Sequence, residues 1–203
     1  LTSVSGYDGY GWRSAFGGCK NLWDVELEDG MSKIPGYLFS NCTGFTEIAI
    51  PASVTAIGES AFAGTGLKAV VVPDNVTSIE QNAFSRCEEM ETLQLSKNLK
   101  SIGGAAFRDC KSLTSIFFPK SLENVSGYDG RGWCGAFSGC SGLKQIELET
   151  GMSKVPGYLL YGCTASAEIT LPDTVTEIGG SAFQGSNITS VVMADSVTSI
   201  SEK

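Results

Sequence analysis

Apolar residues return along this chain at a nearly constant interval. An aromatic residue or leucine is followed three positions later by a small residue, usually cysteine. The pairs are Phe16/Cys19, Phe39/Cys42, Phe62/Thr65, Phe84/Cys87, Phe107/Cys110, Phe137/Cys140, Leu160/Cys163 and Phe183/Ser186. Successive pairs lie 23, 23, 22, 23, 30, 23 and 23 residues apart, so one unit is a residue short and one carries seven extra. Within each unit the order runs L-x-x-I-x-L-P, then V-x-x-I-G, then A-F-x-x-C, as in Leu113, Ile116, Phe118 and Pro119, or Val54, Ile57, Gly58, Ala61 and Phe62.

This pattern predicts two short strands per unit. Ile48-Ala49-Ile50 and Val70-Val71-Val72 have the period of two that places alternate side chains on opposite faces. Pro51, Pro73, Pro119 and Pro172 close that segment, because proline donates nothing to a following ladder. The β-branched Val-Thr-x-Ile segment reads as a second extended piece. Ser60-Ala61-Phe62 and its equivalents suit a single helical turn, and no segment is long enough for a full helix.

One unit has too few apolar side chains to bury a core alone. Stacked in register, the Leu, Ile and Phe positions line up into continuous columns, and each coil covers its neighbour. The expected fold is therefore a mainly β solenoid. It has one long parallel sheet, about 4.8 Å per coil, with short strands and turns on the other face. The small residue after each Phe forms a narrow column of its own.

The segments I-P-A-S-V-T-A-I-G-E-S-A-F at 50–62 and L-P-D-T-V-T-E-I-G-G-S-A-F at 171–183 resemble the BspA-type leucine-rich repeat. The resemblance covers essentially residues 1–203 as one leucine-rich repeat solenoid. It implies a curved solenoid, a secreted or cell-surface location, and adhesion to host proteins. Its motif is structural and brings no catalytic residue with it.

A longer period lies over the short one. Residues 4–79 align with 125–200 at an offset of 121 without gaps, more than half of them identical. Five coils thus make a super-repeat, and each super-repeat carries one insertion of the form G-Y-D-G-x-G-W. Five coils at the strand spacing would put the two insertions roughly 24 Å apart on the same side. Leu1 is not a methionine and the chain stops at Ser201-Glu202-Lys203, partway through a unit, so both ends read as cuts in a longer array. Such ends are expected to expose apolar edges and to favour end-to-end association.

Composition narrows the chemistry. The net charge is −8 with no basic run, which argues against nucleic acid and anionic membrane partners. No apolar run reaches the roughly 18–20 residues that span a bilayer, so direct membrane insertion is not expected. Histidine is absent, which removes His-based triads, bases and metal ligands. Together with the absence of a nucleophile motif, this points away from an enzyme, and no cofactor or metal is expected.

The remaining candidates are surfaces. Tyr7, Asp8 and Trp12, with Tyr128, Asp129 and Trp133, sit in the two glycine-rich insertions. Aromatic side chains with a polar tip on a loop are common contacts for proteins or sugar faces. The competing structural reading is that each Trp folds back over the solenoid and fills the gap the insertion makes. Ala69, Val71, Phe117 and Val192 occupy outward positions of the longer strands and would form an apolar patch for a protein partner. Asp24, Glu26 and Glu28, and later Gln145, Glu147 and Glu149, alternate outward as a solvated acidic face.

Six of the seven cysteines fall at the small-residue position and read as buried thiols. Cys134 replaces Arg13 of the first insertion, either as a free thiol or paired with Cys110 or Cys140. The function expected from all this is protein binding and adhesion at a cell surface, with a host extracellular-matrix protein as the partner type. Carbohydrate recognition through the insertions, and a stalk that displays other domains, are the alternatives.

Overall fold

The structure is a computed structural model that describes residues 15–130 and 132–201, together with the backbone of Gly6, Tyr7, Trp12 and Arg13. The expected solenoid is what the chain forms. About seven turns stack on one another, and no helix occurs among the described residues.

The sixteen short strands of the described residues fall into three sets. β1 (Gly6–Tyr7) and β2 (Trp12–Arg13) form an antiparallel hairpin. The Val-Thr-x-Ile segments form β3 (Lys33–Ile34), β4 (Ala56–Ile57), β6 (Ser78–Ile79), β8 (Ser101–Ile102) and β10 (Asn124–Val125), one parallel five-stranded sheet. β12 (Lys154–Val155), β14 (Glu177–Ile178) and β16 (Ser199–Ile200) continue the same series as a separate three-stranded sheet. The L-x-x-I-x-L segments form β5 (Ala69–Val71), β7 (Thr92–Gln94), β9 (Ser115–Phe118), β11 (Gln145–Leu148), β13 (Glu168–Thr170) and β15 (Ser190–Val192).

The distribution of ladders corrects the expected single long sheet. The L-x-x-I-x-L face is divided into the parallel pairs β5–β7, β9–β11 and β13–β15, and the longest unbroken ladder lies on the Val-Thr-x-Ile face. Five successive coils there supply the same pair of residues, a variable outer one and an Ile or Val turned inward. The series breaks between β10 and β12, where the chain departs into the second insertion. On the opposite face β9 and β11 stay in register across that insertion, with Phe117 opposite Glu147. The seven extra residues are therefore absorbed on one face only.

The expected helical turn is replaced by consecutive tight turns. The carbonyls of Gly58, Ser60 and Phe62 accept from the N–H groups of Ala61, Ala63 and Thr65 at 3.2, 3.2 and 3.3 Å. The intervening N–H groups of Ser60, Phe62 and Gly64 instead donate to Gln81, Ala83 and Ser85 of the next coil, at 3.1, 2.8 and 2.7 Å. Left-handed φ values at Ser60 (52°) and Gly64 (67°) turn every second N–H along the solenoid axis. A helix would keep those donors within its own turn and leave the coils unlinked.

The core is a set of columns. Phe16, Phe39, Phe62, Phe84, Phe107 and Phe137 stack face to face with centroids 5.7, 5.7, 5.1, 5.3 and 5.0 Å apart. Beside them, the thiols of Cys42, Cys87, Cys110 and Cys140 donate to the carbonyls of Phe16, Phe62, Phe84 and Phe107. All seven cysteines are unbridged.

Candidate functional site

The second insertion is a hairpin. Tyr128 and Trp133 form an antiparallel bridge, Cys134 N–H donates to Gly127 O at 2.7 Å, and Asp129 N–H donates to Gly132 O at 3.2 Å. Gly130, with φ 83°, makes the reversal at the tip, a conformation glycine adopts without steric cost. The Asp129 carboxylate accepts from Gly132 N–H at 2.9 Å and lies 3.9 Å from the Arg108 guanidinium, which pins the tip to the preceding coil. The first insertion has the same backbone register, with Tyr7 opposite Trp12. Asp8 lies outside the described residues, as do the side chains of Tyr7 and Trp12.

Three rings form a cluster at the base of the second hairpin. Trp133 stacks on Tyr158 of the following coil, with centroids 5.6 Å apart and planes 18° apart. Tyr128 meets Trp133 edge-on at 6.3 Å. The Tyr128 hydroxyl donates to Gly130 O at 3.2 Å, and its backbone N–H donates to the Ser126 hydroxyl at 3.1 Å. Despite these contacts Trp133 is 67% exposed and Tyr128 51% exposed. The indole is held by Tyr158 and Tyr128 and remains open to solvent over most of its surface.

Sequence reasoning did not single out Tyr158. A signal for it exists. The left-handed turn position is occupied by Ser60, Asn82, Ala105 and Ser181 in other coils, but by Tyr37 and Tyr158 in the coil that follows each insertion. A bulky residue at φ 59°, where small ones normally sit, is an outlier that calls for a compensating contact. Tyr158 has that contact in Trp133 and in the backbone of Gly127, where an added Cβ would lie 2.3 Å from its ring.

The hairpin also bounds the hollows of this region. An open groove of about 530 Å³ runs along β6, β8 and β10, lined by Ser78, Ser101, Asn124, Glu59, Glu80 and Gln81 and by Tyr128. A polar hollow of about 380 Å³ takes in Arg86, Arg108, Asp129 and Gly130. A third, of about 470 Å³, places Trp133 across from Asp109 and Ser138.

The longer-strand face differs from the expected patch. Val71 and Phe117 are exposed, at 58% and 49%. However, Val71 pairs with Gln94, Phe117 with Glu147, and Val192 with Thr170. Gln94, Glu147 and Thr170 separate Val71, Phe117 and Val192 along this face, so these three do not join into one apolar surface. Among the acidic residues, Glu149 accepts from Lys120 N–H at 2.9 Å. No group of three metal-ligating side chains occurs among the described residues.

The model of the BspA-type leucine-rich repeat region matches residues 12–129 and 134–203, in six copies. The chain is also similar in fold to solved leucine-rich repeat proteins. One from Bacteroides ovatus is 22% identical, with 92% of this chain and 70% of that one covered and a TM-score of 0.51. One from T. pallidum is 21% identical, with coverage of 85% and 69% and a TM-score of 0.52. One from Eubacterium ventriosum is 21% identical, with coverage of 86% and 48% and a TM-score of 0.54. At these identities the likeness speaks for the fold alone. No curated protein matches the sequence.

Proposed function

We propose that this chain, which belongs to the BspA-type leucine-rich repeat family, is a non-catalytic adhesive protein of the cell surface whose inserted hairpin makes the binding contact. The observation that carries this reading is the Trp133–Tyr158 stack. It holds a large ring in one orientation while leaving it open, so little conformational freedom is lost when a partner covers it. Open hollows lined in part by Tyr128 and by Trp133 adjoin the rings and extend the surface a partner could cover. No helix among the described residues is long and apolar enough to cross a membrane.

The test is solid-phase binding to a panel of immobilised extracellular-matrix proteins and mucin, comparing the parent chain with Trp133→Ala. Saturable binding that falls in the variant, with the melting midpoint nearly unchanged, supports the reading. Equal binding by both overturns the hairpin as the contact, and no binding to any surface overturns the reading and favours a stalk. A protein partner seated on the longer-strand face is a second reading, favoured by the exposure of Val71 and Phe117. It requires binding to fall in Val71→Ser and Phe117→Ser instead.

A further inference from the structure

The groove beside the hairpin has a chemistry that narrows the ligand. Its floor presents the outer residues of three consecutive strands, Ser78, Ser101 and Asn124, which are direct register partners. They repeat at the inter-coil spacing of about 4.8 Å, close to the length one pyranose ring adds to an extended glycan. Hydroxyl and amide groups in a row at that interval can exchange hydrogen bonds with the hydroxyls of successive sugars. Glu59, Glu80 and Gln81 complete the lining. Part of it is already committed, because Glu80 accepts from Glu59 N–H at 3.0 Å and pairs with Lys33.

Tyr128 also lines this groove. Its ring is held by the hydroxyl bond to Gly130 and by the T-shaped contact with Trp133, yet half of it is open. A fixed aromatic face beside a mixed lining, in which a row of hydroxyl and amide groups alternates with apolar surface, suits a sugar ring, whose C–H face and hydroxyls match both. A greasy ligand would cover the Ser78 and Ser101 hydroxyls and the Asn124 amide without replacing their hydrogen bonds to water, at a cost. The carboxylates and the net charge of −8 also disfavour uronic, sulfated or phosphorylated chains.

We infer that this groove binds a neutral, extended oligosaccharide, with Tyr128 as the stacking ring and Ser78, Ser101 and Asn124 as the hydrogen-bonding row. The inference rests on the hairpin being the contact element proposed above, and it adds the class of ligand.

The test uses isothermal titration of the whole chain with cellohexaose, xylohexaose, mannohexaose and chitohexaose, with a heparin hexasaccharide as the anionic comparison. Saturable binding of at least one neutral hexasaccharide is expected, and none of heparin. Tyr128→Ala should weaken the binding roughly tenfold or more. Ser101→Val, whose β-branched side chain suits the strand, should weaken it several-fold with the melting midpoint preserved. Failure of every neutral hexasaccharide to bind overturns the inference, and so does binding that Tyr128→Ala leaves unchanged. If oligosaccharides fail while Trp133→Ala still abolishes attachment to an immobilised protein, the ligand class is wrong and the hairpin reading stands. If oligosaccharides bind in a Tyr128-dependent way while attachment ignores Trp133→Ala, the ligand class stands and the adhesive role of that ring falls.

Discussion

Trp133 lies face to face with Tyr158, across the boundary between the inserted hairpin and the coil that follows it, at a centroid separation of 5.6 Å. Tyr158 takes up this position from a left-handed backbone conformation, which costs a non-glycine residue roughly 1–2 kcal/mol. The stack offsets that cost, since an aromatic pair contributes about 0.5–1.5 kcal/mol beyond its buried area. The open indole is thus held by a strained residue in the neighbouring coil.

Replacing Tyr158 by asparagine should separate these two effects. Asparagine tolerates the left-handed region, and Asn82 already occupies the equivalent position three coils before Tyr158. The variant is expected to lose at most about 1–2 kcal/mol of stability. The Trp133 indole should nevertheless become mobile. Its NMR resonance, identified by its loss in Trp133→Phe, should shift toward the position of a free indole. An unshifted resonance would mean the stack does not orient the ring.

The seat of the hairpin makes a second prediction. An added Cβ at Gly104 would fall 2.0 Å from the carbonyl oxygen of Tyr128, whereas at Gly132 it would meet nothing within 4 Å. Gly104→Ala must push backbone against backbone and should cost about 1–3 kcal/mol. Gly132→Ala should stay within about 0.5 kcal/mol. Urea denaturation of the two variants measures the difference, and equal midpoints would contradict the seating.

Phe107 sits in the middle of the ring column, 5.3 Å from Phe84 and 5.0 Å from Phe137. Phe107→Ala should cost about 3–5 kcal/mol. Because each coil touches only its neighbours, the loss is local and should uncouple the two halves. Two unfolding transitions in place of one, seen by denaturant titration, are the expected outcome.

The cysteine column predicts a pH dependence. Burial pushes the Cys87 and Cys163 thiols up to about 11 from an ordinary 9.0. Cys110 is pushed well above 9.0, first by its hydrogen bond with Cys140 and then by burial. Below pH 9.0 both folded and unfolded chains keep these protons, and no stability depends on them. Between pH 9.0 and about 11 the unfolded chain ionises while the folded one does not, so stability should fall as pH rises through that window. Urea midpoints across this range check the sign. At pH 8, Cys19 and Cys134, which lie outside the fully buried set, should react fast with a thiol reagent, and all seven should react in denaturant.

The 23-residue interval, the Phe column and the recurrence of the insertion at an offset of 121 are readable in the chain itself. Each follows from residues that are close in sequence, or from a repeat that must stack in register to bury any core. The solenoid is the one arrangement in which Phe84, Phe107 and Phe137 all lose their water at once. Choices between coils are different, because a single coil's residues do not reveal where the neighbouring coil's atoms fall. Only the stacked structure decides that the longest unbroken ladder runs along the Val-Thr-x-Ile face and not the L-x-x-I-x-L face. It also decides that Ser60 turns left-handed rather than helical, since the donor it frees is satisfied by Gln81, 21 residues on. The partner of Trp133 belongs to the same class: Tyr158 is 25 residues away and comes within reach only when the next coil closes over the hairpin.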